Sequence, residues 1–181
     1  MGSFWFDPSP ARPIPPDHPL VSLLRRLTVG CFHSVGVGGE DLAHYVAGVL
    51  VEFVHIERLF KLTDDEGRRL EYLFEMVEAA ESAGEMGHRR AYKHLGDYAL
   101  FMTGLFPEYL ERAGRPASPI YYIERGKASY ALLARIDPLK PYAPLFRELA
   151  DRFEACVAGL QLEKLYLRDP FYQTMLRQLG F

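Results

Sequence analysis

The side chains best placed to do chemistry in this chain are those of Glu52-Phe53-Val54-His55. A Glu and a His three residues apart share one side of a helix, so both can reach a single ion. His94 and Asp97, with the same spacing, lie on a later apolar segment. Together Glu52, His55, His94 and Asp97 would supply two imidazole nitrogens and two carboxylates, a donor set that suits zinc, iron or manganese. The competing reading is structural. A buried ionisable group is costly unless partnered, and each imidazole could donate to a carboxylate one turn away or to loop backbone.

The Glu52–His55 tetrad resembles the Glu-x-x-His element of ferritin-like di-iron proteins, which place one on each of two helices and a Glu on each of two others. Glu85-Met86-Gly87-His88 repeats the pattern. The resemblance implies an iron centre with an oxidoreductase role. Two features depart from it: the second tetrad is flanked by Gly84 and Gly87 at a helix start, and residues 20–34 carry no carboxylate. Glu52, His55, His94 and Asp97 therefore rank ahead of Glu85 and His88. Heme is a further option, with His55 or His94 as axial ligand among Phe and Met side chains.

Other catalytic signatures are missing. The chain has no Gly-x-Ser-x-Gly, His-Glu-x-x-His, Walker or Cys-x-x-Cys motif. Cys31 and His33 are two apart and would not face each other on a helix. His44 reads as a surface residue. Gly36-Val37-Gly38-Gly39 follows a helix and leads into Glu40 and Asp41, which would repel a phosphate, so it reads as a helix–helix turn. No catalytic residue is assigned.

The elements that must hold these groups are helical. Residues 42–62 are apolar around most of a helical circumference, which predicts a buried helix. A second buried helix is expected from residue 88, apolar nearly all round between Tyr98 and Phe106. It carries Gly96 and Gly104, each costing ~1 kcal/mol against Ala in a helix, where another backbone or a bulky ligand comes close. Asp17 with Pro19 predicts the start of a first helix over 20–34. Thr63-Asp64-Asp65-Glu66 reads as a capping box opening a third to residue 82. Ser118-Pro119 starts another over 120–136, a long helix follows over 145–167, and Asp169-Pro170 opens a short last one. No segment reads as a convincing strand. The expectation is an all-α single domain, residues 18–181, forming an irregular bundle of about six to seven helices with two buried central ones. Residues 1–17 form a proline-rich arm whose aromatic start, Phe4-Trp5-Phe6, packs on the body or on a second subunit.

Composition narrows the function. A net charge of −3 creates no field to gather nucleic acid or an anionic membrane. The two cysteines, Cys31 and Cys156, sit in apolar helical patterns and read as reduced, packed thiols. With no signal-peptide pattern at the start and no uncharged apolar run of ~18 residues, a cytoplasmic protein is expected. The leading functional expectation is a non-enzymatic helical domain that binds a protein partner or a second copy of itself. Next comes a metal- or small-ligand-binding bundle, of di-iron or heme type, centred on Glu52 and His55, with iron or zinc as the candidate metals.

Overall fold

A computed structural model of the chain describes residues 5–6, 12–55, 62–63, 70, 72–82, 84–112 and 117–181. Among these the architecture is all-α, apart from one antiparallel two-residue ladder. Nine α-helices follow in order: α1 Pro19–Ser34, α2 Glu40–Phe53, α3 Leu73–Ser82, α4 Glu85–Leu105, α5 Pro107–Leu110, α6 Pro119–Leu133, α7 Ala143–Asp151, α8 Phe153–Arg168 and α9 Pro170–Gln178, with a 3-10 helix at Asp137–Tyr142 before α7.

Several starts obey the capping rules. Ser118 accepts a hydrogen bond from the N–H of Tyr121, with Pro119 next, and Asp169 accepts from the N–H of Phe171. The first helix departs from expectation: His18, not Asp17, is the cap, its Nδ1 accepting from the N–H of Leu20 at 3.2 Å. Gly36, at φ 81°, takes the left-handed conformation that turns the chain after α1.

α4 is the axis of the bundle. Every residue from His94 to Gly104 is buried, as an all-round apolar helix must be. It packs on α6, α8 and α3, while α1 packs on α2 and α8. The second expected buried helix differs. α2 stops at Phe53, and it buries one face (Leu42, Val46, Val49, Leu50, Phe53) while exposing Asp41, His44 and Gly48. Beyond it, Leu62–Thr63 is extended and pairs antiparallel with Trp5–Phe6. Leu62 is fully buried there, its carbonyl accepting from the N–H of Leu70. Of the apolar run over 42–62, the described residues place a helix to Phe53 and an extended pair at Leu62–Thr63. The rest of the expected capping box, residues 64–66, lies outside the described residues.

The expected helix over 145–167 is two helices. The break falls at Arg152, whose guanidinium Nη1 donates to the carbonyl of Gly36 at 3.1 Å.

Small residues let large side chains seat against backbone. A Cβ on Gly96 would lie 2.6 Å from the Tyr130 ring of α6, and one on Gly104 would lie 2.6 Å from Leu160 of α8. On α6, Gly126 receives the ring of Phe153 in the same manner. The close neighbours of the α4 glycines are therefore bulky side chains of the same chain, not another backbone. Gly96→Ala is expected to destabilise the fold: overpacking against a buried ring costs ~1–3 kcal/mol, outweighing the ~1 kcal/mol gain in helix propensity. A urea midpoint that falls agrees with this; one that rises would show that the ring has room to move.

Candidate functional site

The most densely bonded polar side chain in the core is Asp97, 2% exposed on α4. Its Oδ1 accepts from the hydroxyls of Tyr45 on α2 at 2.7 Å and Tyr130 on α6 at 2.8 Å. Its Oδ2 accepts from Lys93 Nζ, one turn back on α4, at 2.6 Å. Carboxylate desolvation is thereby offset by an ammonium and two hydroxyl donors, the condition under which a charge can be buried. Both phenols are held well above their ordinary pKa, first by burial and then by the neighbouring Asp97 charge. They are hydrogen-bond donors here, not bases.

Three rings enclose this node. Phe146 of α7 stacks on Tyr130, with centroids 6.1 Å apart and planes at 22°, and meets Tyr45 edge-on at 5.8 Å. Lys93 Nζ stands 5.2 Å from the Tyr45 ring centroid, adding a cation–π contact. The absence of a side chain at Gly96 lets Tyr130 lie flat on α4 and reach Asp97. Helices α2, α4, α6 and α7 therefore converge on one carboxylate.

Above the node lies an open groove of about 450 Å³. One wall is Tyr142, Leu145 and Phe146, the floor is Tyr45, and the opposite rim carries Arg89, Arg90 and Lys93 of α4. Among the described residues the lining contains no acidic side chain. Arg90 is exposed, Arg89 half-buried, and among the described residues no carboxylate pairs with either guanidinium.

The expected metal set distributes differently. His94 and Asp97 share α4 but diverge. His94, 5% exposed, meets the Phe53 ring edge-on at 5.7 Å and lies 6.1 Å from the Tyr98 ring. Glu52 is on the last turn of α2, whereas His55 lies past its end, in a bend, so the two do not share one helix. Glu85 opens α4, and His88 packs edge-on against Tyr92 with its Nε2 3.4 Å from the carbonyl oxygen of Glu81. Among the described residues no three His, Cys, Asp or Glu side chains gather as a metal ion requires. The thiols of Cys31 and Cys156 are free and buried, and burial pushes them up to about 11 and about 12.

A second buried carboxyl is absent from the sequence-level candidates. Glu163 on α8 is fully buried; its Oε1 lies 3.1 Å from Thr28 Oγ1 of α1, and its Oε2 has no partner. Thr28 has one hydroxyl hydrogen, and the carbonyl of Leu24 takes it at 2.8 Å. Glu163 Oε1 therefore has at most a share of the Thr28 hydrogen, too little to offset the burial that raises the Glu163 pKa to about 8. The signal was available in the pattern. Leu149, Phe153, Cys156, Leu160 and Leu167 form the inward stripe, and position 163 continues it. The groove had a sequence trace as well, since Arg89, Arg90 and Lys93 are cations three and four apart on one helix.

No family model, curated protein or solved structure matches the chain.

Because Glu163 has a folded pKa of about 8 and an ordinary carboxyl pKa near ~4.3 when unfolded, the unfolded state holds fewer protons between those values. Stability is expected to fall from about pH 5 to pH 8, by on the order of 1 kcal/mol per pH unit from this group, and then to level off. Glu163→Gln should remove this slope in urea titrations run across that range. A wild-type slope unchanged by the substitution would mean that Glu163 is ionised in the fold.

Proposed function

We propose that this protein is a non-enzymatic helical domain that binds a small ligand in the groove between α2, α4 and α7. The observation that carries the reading is the groove itself: about 450 Å³, within the ~300–1,000 Å³ typical of small-molecule sites, with apolar walls and a few convergent polar groups. Its floor is preorganised, because Tyr45 and Lys93 are both anchored on Asp97. A binding role accords with the polar groups at hand. Tyr45, Tyr130 and the two thiols are held protonated, and Asp97 already accepts from three donors, so none of these is poised for acid–base or nucleophilic work.

Anilinonaphthalene sulfonate, which gains fluorescence in apolar surroundings, serves as a first probe. One-to-one saturable uptake by the native chain is expected, with at least tenfold loss, about 1.4 kcal/mol, in Leu145→Trp, which fills the groove from its wall. The melting temperature of the variant should stay close to that of the parent. Uptake that is non-saturable, or untouched by Leu145→Trp, contradicts the reading.

A second reading, assembly with a protein partner or another copy of the chain, is favoured by the C-terminal surface. α9 contains no buried residue, and Phe171 is 65% and Leu165 64% exposed. Large apolar side chains left in water mark contact sites where they gather. Under this reading light scattering should give a mass above 20.7 kDa that returns to the monomer value in Leu165→Glu with Phe171→Glu. A monomer at all concentrations excludes self-association. Among the described residues no helix is long and apolar enough to cross a membrane.

A further inference from the structure

We infer that the ligand of the α2–α4–α7 groove is an organic anion carried on a flat apolar body, its acid group on the Arg89–Arg90–Lys93 rim and its body against Leu145 and Phe146. This rests on the small-ligand reading above and adds the charge and shape of the ligand.

The chain as a whole is acidic, at −3, yet among the described residues this groove gathers three cations and no acid. Asp97 lies below the floor, but its charge is matched by Lys93 in a 2.6 Å pair and by two hydroxyls. It therefore leaves the two guanidinium groups uncompensated. Surface arginines of a folded protein commonly find a carboxylate; among the described residues Arg89 and Arg90 have none. A planar guanidinium presents paired N–H donors that match a carboxylate, sulfonate or phosphate oxygen pair.

Shape supplies the second half. Tyr142 is largely exposed, Leu145 half-buried and Phe146 buried, so the residues that line the groove from the α7 side are largely apolar. An inorganic anion would leave that wall wet, and a neutral hydrocarbon would leave the guanidinium pair without a partner. An amphipathic anion satisfies both sides at once. Lys93 is held in place by Asp97 instead of swinging into solvent, so it can add one N–H donor to the bound acid group without losing its buried partner.

Two compounds that share a skeleton test this: anilinonaphthalene sulfonate and its neutral counterpart N-phenylnaphthylamine, which lacks only the sulfonate. The expected result is tighter binding of the anion by about tenfold or more, weakened by added salt. Arg89→Gln with Arg90→Gln should abolish that preference and leave the affinity for the neutral compound unchanged. If both compounds bind in the groove equally, or the double variant keeps full affinity for the sulfonate, the charge assignment is overturned while the groove remains a ligand site. If neither binds saturably, the small-ligand reading falls and this inference with it.

Discussion

A carboxylate in a protein interior must be matched by donors or it drives the chain apart. Asp97 meets that requirement with Tyr45, Tyr130 and Lys93, drawn from α2, α4 and α6, and Phe146 of α7 closes the cluster. Much of the architecture follows from that one demand. Tyr130 can reach Asp97 only by lying on α4, which excludes a side chain at position 96. Tyr45 can reach it only if α2 crosses near the middle of α4. Lys93 is then drawn in along the Tyr45 ring, and the arginines one turn earlier are left on a shared rim. Hydrogen-bonded buried networks of this kind specify one arrangement of helices where apolar packing alone would tolerate several.

Glu163 is the contrasting case. It has one hydroxyl neighbour, no cation, and an oxygen with no partner. A charge there would be uncompensated, so the carboxyl stays protonated near neutral pH. Among the described residues the same core therefore handles two acids by different means, with three donors at Asp97 and one hydroxyl neighbour at Glu163. Sequence periodicity puts Glu163 on the inward stripe of α8 but Asp97 on the face away from Tyr92, Leu95 and Ala99, and it gives neither group's partners, which lie far along the chain.

Legibility in the sequence follows the range of the interactions involved. Local signals carried through: Ser118-Pro119 and Asp169-Pro170 do open helices, and the all-round apolar run after Tyr98 is the buried axis. Where a distant partner decides, periodicity misled. The run over 42–62 reads as one buried helix, but α2 stops at Phe53, and Leu62–Thr63 pairs with Trp5–Phe6 across half a hundred intervening residues. Arg152 carries none of the usual breaker chemistry, yet α7 ends there, with its guanidinium on the Gly36 carbonyl. Of the candidate site residues, Asp97 lies at the centre of a bonded cluster, though its partners are tyrosines and a lysine. Tyr45 and Tyr130 read as core aromatics in the sequence, since a phenol shows its apolar body there and its hydroxyl only when a partner is placed.

The functional account depends on ligands settling over Tyr45 and beside Tyr142, and not on a larger concave surface between α1 and the C-terminal helices, which Tyr166 and Tyr172 line. NMR of the chain with carbon-labelled tyrosine rings, titrated with anilinonaphthalene sulfonate, separates the two directly. The account predicts saturating shifts at Tyr45 and Tyr142 with Tyr166 and Tyr172 unmoved. Shifts confined to Tyr166 and Tyr172 would place the ligand on the C-terminal face and contradict it.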